Sequence, residues 1–544
     1  MPADAHAGLP GDIAPSDRWI WIVAVLGVTA ALMVPLVIAE VPPLQDYPNH
    51  IARMFVLAHG DADPFLSRVY GRHWPVIPNI AIDAVMPPML AVIPIHIAGR
   101  IVVAIAAVLP VLGTVFYGRA LLGRYTLWSL VSAMMAYNLL LLAGFLNFQI
   151  AAGLALLAAA FWIRVRPTHP LRAVLVLMVS ALLIAFAHAF GALFLGLLLL
   201  AHELVATWRD RHEGAALWRR AAAGIGLMTL ILAGPAILLA ISAVPELHGV
   251  TLTAYRYWKV VWAFAPLLNY HLALDLGTAG VLMLVVLGCV LARKADVSME
   301  AFIAVAVLAV LYIFVPNIAM ATSYLDTRLA VLAGFPAVAG FAPRGLSRRV
   351  GWAIGLVLAG LFVIRMAVIC QAWTQQNSDV AQLRQVMSHV PAGSRVLVVE
   401  VNEHDNPGYW KDMAIHRTTS GHLSTYTHLP ALLIIERDAM WPLLFTDRAK
   451  QPVFVRPEFA DLTQEQGMLP SYRTLLTDTP AAQFLSLYSY MVNWPDKFDF
   501  VLLLLAEGAP DLASLRPDRL AMVDKTAFAS LFRITRGPAI PGSR

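Results

Sequence analysis

The chain has 544 residues, of which 59% are apolar and only 13% are charged. A water-soluble protein of this length needs far more charge to cover its surface, so the composition excludes that class and indicates a polytopic membrane protein. The formal net charge is +5, from 39 Lys and Arg against 34 Asp and Glu. Excess arginine in membrane proteins marks cytoplasmic loops, so we expect no nucleic-acid partner.

Long apolar runs recur along the first two thirds of the chain, and their length and periodicity predict about eleven spanning helices. These are expected near residues 19–39, 97–118, 125–141, 146–163, 172–187, 189–207, 220–242, 272–292, 299–315, 326–343 and 351–371. A further apolar segment, 80–94, is short, contains Asp83 and is interrupted by Pro87-Pro88. We predict that it forms a short helix that lies in, or dips into, the outer interface of the membrane.

The basic residues decide between two topologies, because cytoplasmic loops carry an excess of Lys and Arg. If 80–94 does not span, fourteen basic residues in alternate loops all face the cytoplasm, and if it spans, all of them face outside. They are Arg119, Arg124, Arg164, Arg166, Arg172, Arg209, Arg211, Arg219, Arg220, Arg293, Lys294, Arg344, Arg348 and Arg349. We therefore predict that 80–94 does not span and that 40–96, 243–270 and 375–544 lie on the outer side.

The composition changes from about Gln375, where charged and turn residues become more frequent. Strand-like runs appear at 394–401, 451–455, 498–506 and 527–535, with helical stretches between them. This pattern predicts an α/β domain on the outer side. The run FVLLLLA has only about seven apolar residues between charged flanks, so we predict a buried strand and no further span. The chain then divides into a transmembrane domain, 1–372, with a first outer loop at 40–96, and an α/β domain, 373–544.

The stretch PLQDYPNHIAR directly follows the first apolar run. A helix that starts at Asp46 places Asp46, His50 and Arg53 on one face and apolar residues on the other, which predicts an in-plane interfacial helix with its polar face toward a cavity. The structural alternative is that Asp46 caps the helix and Arg53 is solvated. Capping does not explain three ionisable residues on one face, so we favour a functional site.

Aromatic and basic residues alternate in YRYWKVVW, within the loop 243–270. Here Tyr255, Arg256 and Lys259 are candidate substrate-binding residues. Such a mixture is typical of an aromatic belt at the membrane interface, and it suits a lipid phosphate equally well. Both interpretations stay open at this point.

Three more charged residues are candidates for substrate binding near the outer ends of predicted helices. Asp326 and Arg328 lie in SYLDTRLA, where they either pair with each other or bind a ligand. Arg365 lies near the outer end of the last predicted span, from which a long side chain can reach the interface. Each of these residues has a structural and a functional interpretation.

Four histidines of the C-terminal region are candidate metal ligands. These are His404, His416, His422 and His428. Their spacing matches no standard metal site, and the sequence contains neither HExxH nor CxxC. It also contains no P-loop, no Rossmann glycine pattern and no GxSxG motif, which argues against an ATPase, a dehydrogenase or a lipase. We expect no metal site.

The chain resembles the GT-C superfamily of membrane glycosyltransferases, which includes the lipid A aminoarabinose transferases and the protein O-mannosyltransferases. The resemblance rests on an Asp-x-x-x-His-x-x-Arg helix (Asp46, His50, Arg53), a second in-plane helix, a span that ends in the basic turn GRALLGR, and a C-terminal α/β domain. Many relatives have Asp-Glu at the start of the first helix, where this chain has Asp46-Tyr47. A second acidic ligand is therefore missing, and the pattern does not support a divalent metal or another cofactor.

The resemblance implies a sugar donor linked to a polyprenyl phosphate, and a lipid, glycan or protein acceptor. It also implies a bacterial cytoplasmic membrane, with the active site and the α/β domain in the periplasm. Asp46 would act as the general base, cations would stabilise the leaving phosphate, and the anomeric carbon would be inverted. The alternatives are a transporter of lipid-linked sugars and a non-catalytic envelope assembly protein. Transporters usually show internal repeats, which this sequence lacks.

Overall fold

In a computed structural model of the protein, the described residues are 18–209, 211, 215–242, 256–319, 322–403, 405, 409, 413–465 and 467–536. The helices are α1 (Arg18–Ile38), α2 (Tyr47–His59), α3 (Pro64–Val69), α4 (Ala81–Leu90), α5 (Ile95–Leu122), α6 (Leu139–Leu142), α7 (Leu146–Val165), α8 (Pro170–Ala187), α9 (Ala189–Arg209), α10 (Ala215–Ile241), α11 (Arg256–Trp262), α12 (Leu272–Leu291), α13 (Met299–Phe314), α14 (Leu325–Ala339), α15 (Arg348–Met387), α16 (Leu432–Arg437), α17 (Trp494–Lys497) and α18 (Leu512–Leu515). The strands are β1 (Tyr70–Arg72), β2 (Ala295–Val297), β3 (Phe341–Pro343), β4 (Val396–Glu400), β5 (Val453–Val455), β6 (Phe500–Leu504), β7 (Leu520–Lys525) and β8 (Ala529–Ile534).

Eight helices among the described residues are long and apolar enough to cross a membrane. They are α1, α5, α7, α8, α9, α10, α12 and α15. Large apolar side chains on their surfaces are exposed, for example Leu26, Met283 and Val363. Continuous exposed apolar surface is costly in water and favourable in lipid, so these helices indicate a membrane protein.

Three of the eleven predicted spans are not among these eight helices, so that number is not confirmed. Helices α13 and α14 have only 16 and 15 residues. The segment predicted to span at 125–141 consists of a 3₁₀ helix, Trp128–Met135, followed by α6.

The segment 125–141 is irregular because its backbone is buried and bonded by polar side chains. Every residue from 131 to 144 is buried. Asn138 caps α6 by accepting hydrogen bonds from the backbone N–H groups of Leu140 and Leu141, and it accepts a further one from Gln149. Non-helical backbone at membrane depth is tolerated where it is enclosed by protein in this way. Hydrophobicity alone therefore predicted a regular helix where packing permits another conformation.

The predicted short helix in segment 80–94 is confirmed as α4, which contains both Pro87 and Pro88. Its Asp83 is buried rather than solvated, with 1% of its surface exposed. The position of α4 relative to a bilayer stays a prediction.

Ion pairs join the loops that carry the predicted cytoplasmic arginines. Arg124, after α5, and Arg344, after β3, lie 2.7 and 3.2 Å from the carboxylate of Asp296 in β2. Arg209, at the end of α9, lies 3.1 Å from Glu300 in α13. These loops therefore lie at one end of the bundle, as the predicted topology requires. The side of the membrane that this end faces stays a prediction.

The first outer loop and the C-terminal region are packed against each other. Strands β1 and β5 pair antiparallel, with Tyr70 opposite Val455. The side-chain amide of Asn49 in α2 donates to Leu443 O (2.9 Å) and accepts from Phe445 N (2.8 Å). Helix α15 is 40 residues long and runs through the predicted boundary at residue 372 into the C-terminal region. One apolar core therefore extends from the bundle into this region.

A four-stranded sheet in the order β4-β6-β8-β7 forms the centre of the C-terminal region. Strands β4 and β6 are parallel, and the other neighbouring pairs are antiparallel. The predicted runs 394–401, 498–506 and 527–535 contain β4, β6 and β8, and β6 is fully buried as expected. The run 451–455 contains β5, which pairs with β1 outside this sheet. Strand β7 was not predicted.

Candidate active site

A cleft with a volume of about 1180 Å³ lies where the helix bundle meets the C-terminal region. On the bundle side it is lined by the start of α2, the loop between α6 and α7, the turn between α8 and α9, and the start of α14. The other side is formed by the end of β4 and by the segments 422–428 and 445–469. A cleft of this size can hold a sugar together with a phosphate group.

Asp46 lines this cleft at the N-cap position of α2, but its side chain makes no capping hydrogen bond. By contrast, the Asp63 carboxylate at the N-cap of α3 accepts hydrogen bonds from the backbone N–H groups of Phe65 and Leu66. Asp46 Oδ1 instead lies 3.1 Å from Nδ1 of His428, and the side chain is 18% exposed. The capping interpretation therefore does not account for Asp46, whose carboxylate is accessible from the cleft.

The loop between α6 and α7 holds Asp46 in place. The backbone N–H of Asp46 donates to Ala143 O at 3.2 Å. Gly144 has a φ of +93°, and a Cβ atom there would lie 2.9 Å from Cβ of Asp46. Only glycine satisfies both the positive φ and the close approach. Gly144 therefore allows this loop to pack closely against Asp46.

His50 and Arg53 line the cleft beside Asp46, as the predicted helical face requires. The His50 ring packs against Phe445, with ring centroids 5.5 Å apart. Burial lowers the pKa of His50 well below its usual value, and the charges of Arg53 and His428 lower it further, so the imidazole is neutral at pH 7. Arg53 is 2% exposed, and its Nε and Nη2 both lie 2.7 Å from Oδ1 of Asp83 in α4. Arg53 thus joins α2 to α4 within the first outer loop.

Arg328 is a buried cation that lines the cleft, with 7% of its surface exposed. Its guanidinium lies 4.9 Å from the ring centroid of Phe145 and 5.4 Å from that of Phe190. Among the described residues, Nε of Arg328 has no hydrogen-bond partner and no carboxylate pairs with the guanidinium. An unpaired cation in such a place favours an anionic ligand.

Lys259 and Asp326 do not line the cleft. Nζ of Lys259 donates to Val315 O at 2.6 Å and lies 3.7 Å from Oδ2 of Asp326. Asp326 is 1% exposed and also accepts a hydrogen bond from Asn317. Asp326 therefore pairs with Lys259 rather than with Arg328, and this pair joins α11 to the start of α14.

Arg365 is likewise enclosed away from the cleft, with 2% of its surface exposed. It lies 2.7 Å from Oδ1 of Asp275 in α12 and donates to the carbonyl oxygens of Met134 and Leu267 at 3.3 and 2.5 Å. The structure thus gives Arg365 a structural partner. Of the remaining candidates, Tyr255 and the side chain of Arg256 lie outside the described residues, although Arg256 begins α11.

Glu400 and His428 are two of the C-terminal residues that line the cleft, and neither was predicted as a substrate-binding residue. Glu400, the last residue of β4, is 8% exposed and lines the cleft. His428 lies beside Asp46, as described above. The position of Glu400 at the end of an otherwise apolar strand was visible in the sequence and could have indicated a functional residue. The approach of His428 to α2 depends on contacts between residues hundreds of positions apart and left no such signal.

The three described histidines that were considered as metal ligands lie apart from one another. His416 Nε2 lies 2.9 Å from Oδ2 of Asp379, and the His422 ring lies 4.3 Å from that of Trp258. Within the described ranges, no group of three or more His, Cys, Asp or Glu side chains is placed to hold a metal ion. His404 falls outside these ranges.

The cleft therefore combines a carboxylate, a neutral imidazole and a buried cation at one end of an apolar bundle. A carboxylate can accept a proton, and an unpaired guanidinium can bind an oxyanion. No protein-family model matches the chain, and a search of curated proteins found no significant match. Any functional assignment consequently depends on the residues of this cleft.

Proposed function

We propose that the protein is a membrane glycosyltransferase that moves a sugar from a polyprenyl-phosphate-linked donor to an acceptor on the outer side of the membrane. One observation carries this proposal. The uncapped carboxylate of Asp46 and the unpaired buried cation of Arg328 line the same cleft. Transfer from a phosphate-linked sugar needs both groups, because a proton leaves the acceptor while negative charge develops on the leaving phosphate.

Asp46 acts as the general base. It takes the proton of an acceptor hydroxyl while that oxygen forms a bond to the anomeric carbon of the donor sugar. The bond between the anomeric carbon and the phosphate oxygen breaks, and its electron pair leaves with the polyprenyl phosphate. A single displacement of this kind inverts the anomeric carbon. His428, 3.1 Å from Asp46, keeps a polar group beside the carboxylate.

Arg328 binds the donor phosphate and stabilises its charge as the glycosidic bond breaks. The two phenylalanine rings restrict the guanidinium, so little reorganisation is needed when the phosphate arrives. Lys259, Asp326 and Arg365 have structural partners, and we assign them to the support of the bundle. Arg256 stays a second predicted phosphate ligand.

The proposed partners are membrane lipids, the lipid-linked donor and a lipid, glycan or protein acceptor, and the reaction uses no cofactor. We place the protein in a bacterial cytoplasmic membrane with the cleft facing the periplasm. The support for this orientation is the grouping of the arginine-rich loops at the end of the bundle away from the cleft.

The test uses the full chain in lipid nanodiscs, with a panel of polyprenyl-phosphate hexoses, hexosamines and pentoses and a total envelope extract as the source of acceptors. Released polyprenyl phosphate and transferred labelled sugar are both measured. Asp46→Asn is expected to lower the transfer rate by about 10²- to 10⁴-fold, the usual cost of removing a general base. Because Asn also suits the N-cap position, the thermal stability should change little.

Asp63→Asn is the matched control, since Asp63 is an N-cap aspartate that does cap its helix. It should leave the transfer rate unchanged. Near-normal transfer by Asp46→Asn with saturating donor would contradict the proposed base. Passage of the labelled donor across a bilayer without release of polyprenyl phosphate would support a transporter, and neither activity with any donor would favour an assembly protein.

A further inference from the structure

The two sides of the cleft differ in chemistry. The bundle side carries the guanidinium groups of Arg53 and Arg328 and the imidazoles of His50 and His188, together with the carboxylate of Asp46. The side formed by the C-terminal region carries mostly carboxyl, amide and phenol groups. These are Glu400, Asn402, Glu403, Tyr409, Gln464 and Glu465. The second side also carries the imidazoles of His422 and His428, and Lys450, which is paired with Asp447. The proposed donor phosphate lies at Arg328 on the bundle side, so the second side is available for the other substrate.

Glu400 is the most constrained group of that second side. Strand β4 ends at Glu400, and its backbone N–H donates to Pro470 O at 3.0 Å. Ligands of sheets with parallel strands commonly bind at the carboxyl ends of those strands, and β4 is parallel to β6. The side chain is more than nine-tenths buried and still lines the cleft. Glu400 is therefore a buried carboxyl group directed at a ligand-sized space.

Two tyrosines fix the orientation of this carboxyl group. The hydroxyl of Tyr426 donates to Oε2 of Glu400 at 3.0 Å. The hydroxyls of Tyr409 and Tyr426 are also in contact. Either hydroxyl can be the donor in this contact. Oε1 of Glu400 has no hydrogen-bond partner among the described residues and is left for a ligand.

The second side of the cleft is less acidic than its composition suggests. Burial raises the pKa of Glu400 to about 8, although the hydrogen bond from Tyr426 opposes this, and the nearby Asp405 raises it further. Burial also raises the pKa of Glu465, and Asp447 forms an ion pair with Lys450 at 3.4 Å. A protonated carboxyl group both donates and accepts hydrogen bonds, as a sugar hydroxyl does. These groups match a neutral ligand rich in hydroxyls better than a cation or an apolar chain.

We propose that the C-terminal side of the cleft is an acceptor subsite for a neutral, polyhydroxylated glycan, in which Glu400 contacts an acceptor hydroxyl and Tyr426 positions Glu400. This proposal rests on the proposed glycosyl transfer and narrows its acceptor to a glycan. Glu400 sets the preference for hydroxyl groups and does not take part in bond breaking.

The test measures binding of soluble glycans to the full chain in nanodiscs by saturation-transfer NMR. The probes are neutral tetrasaccharides of glucose, mannose and N-acetylglucosamine, with tetralysine and a Ser/Thr-rich hexapeptide as competing probes. At least one tetrasaccharide should bind saturably and in preference to both peptides. Glu400→Ala should weaken it by about tenfold, whereas Glu400→Gln, which keeps a donor and an acceptor, should stay within about threefold of the unmodified protein.

The pH dependence separates Glu400→Gln from the unmodified protein. Glu400 is protonated below pH 8, so tetrasaccharide binding should weaken as the pH rises through this value, and Glu400→Gln should remove that dependence. The charged and titratable groups that face Glu400 are Tyr409, Tyr426, Tyr488 and Asp405. Burial raises the pKa values of the three tyrosines, so the tyrosines do not titrate between pH 6 and 9.

The controls are a surface carboxylate and a second buried tyrosine. Glu458→Gln changes an exposed residue away from the cleft and should not affect binding. Tyr426→Phe should weaken binding by about threefold. Tyr490→Phe should have no effect, because the buried hydroxyl of Tyr490 has no hydrogen-bond partner in the described ranges and does not line the cleft. Thermal unfolding of each variant identifies loss of fold, and the two conservative variants keep the test valid if Glu400→Ala does not fold.

The proposal is overturned if no tetrasaccharide binds, if tetralysine or the hexapeptide is preferred, or if Glu400→Gln is as pH-dependent as the unmodified protein. Its failure differs from failure of the proposed transfer. If tetrasaccharide binding depends on Glu400 and Asp46→Asn has normal turnover, the glycan subsite is supported and the role of Asp46 as general base is contradicted. Loss of turnover in Asp46→Asn without any glycan binding would preserve the transfer and reject the glycan acceptor.

Discussion

Replacement of Arg328 by methionine is expected to weaken binding of polyprenyl phosphate without loss of stability. Arg328 is 7% exposed and has no carboxylate partner among the described residues. The free-energy cost of removing its charge from water is therefore not offset by an ion pair. Methionine has a similar length and no charge. A structural role for Arg328 predicts the opposite result, since its removal would then destabilise the fold.

The expected magnitude follows from the contacts of this side chain. A charge-assisted contact to phosphate contributes about 1.5–3 kcal/mol, so its loss should raise the dissociation constant roughly 10- to 100-fold. The stacking on Phe145 and Phe190 is worth about 0.5–2 kcal/mol and is lost as well. Relief of the desolvation cost offsets that loss, so we expect an unfolding temperature equal to or above that of the unmodified protein.

Native mass spectrometry of the chain in nanodiscs, titrated with undecaprenyl phosphate, measures the affinity, and thermal unfolding measures the stability. Arg100→Met is the matched control, because Arg100 donates to the backbone carbonyls of His96 and Leu36 and does not line the cleft. Arg328→Lys should recover part of the affinity, since it restores a point charge without the guanidinium fork. Unchanged affinity in Arg328→Met, or a clear fall in its stability, would refute the assignment.

Three further predictions test the construction of the site and of the bundle. Gly144→Ala should greatly reduce sugar transfer and lower the unfolding temperature, because the φ of +93° and the adjacent loop leave no room for a Cβ atom. Arg365→Met should cost roughly 3–5 kcal/mol of stability, measured by chemical unfolding in detergent, because it leaves Asp275 buried and unpaired. Cysteines placed at exposed Asp61 and Arg349 should be labelled by an impermeant reagent from opposite sides of the membrane, and labelling of both in intact cells would reject the topology.

The sequence contained most of the information needed for the first outer loop. The helical face of Asp46, His50 and Arg53 follows from the 100° step between residues, and all three residues line the cleft. The pairing of Arg53 with Asp83 was not predicted, because it depends on how two short helices pack. Helical periodicity therefore predicted which residues share the polar face of α2, but it could not predict which residues they contact.

Long-range contacts explain why the other charged candidates were harder to interpret. Asp326 and Arg328 are two positions apart in one helix, which suggested a local pair. In the structure Asp326 pairs with Lys259, and Arg328 turns to the cleft. Residues two apart on a helix face different directions, so the local pair was geometrically unfavourable from the start. The identity of the true partner required the packing of α11 against α14.

The predicted number of eleven spans is not confirmed, and segment 125–141 shows that an apolar composition does not imply a regular helix. Segment 125–141 is as apolar as its neighbours, and only the side-chain hydrogen bonds of residues such as Ser132 and Asn138 reveal its 3₁₀ and short α-helical conformation. Strand β7, with the sequence LAMVDK, was missed because its apolar run is only four residues long and ends in two charged residues. Both errors concern segments whose conformation is set by surrounding structure.

The residues that break local rules of stability converge on one cleft. Asp46 occupies an N-cap position without capping, which forgoes about 1 kcal/mol of helix stability. Gly144 has a positive φ, Arg328 is a buried cation that no carboxylate of the described part of the chain pairs with, and Glu400 is a buried carboxyl group. Elsewhere, buried charges such as Arg365 are paired. Since folding alone would not maintain four unfavourable arrangements within a single cleft, their common location supports the proposal that this cleft binds and transforms a ligand.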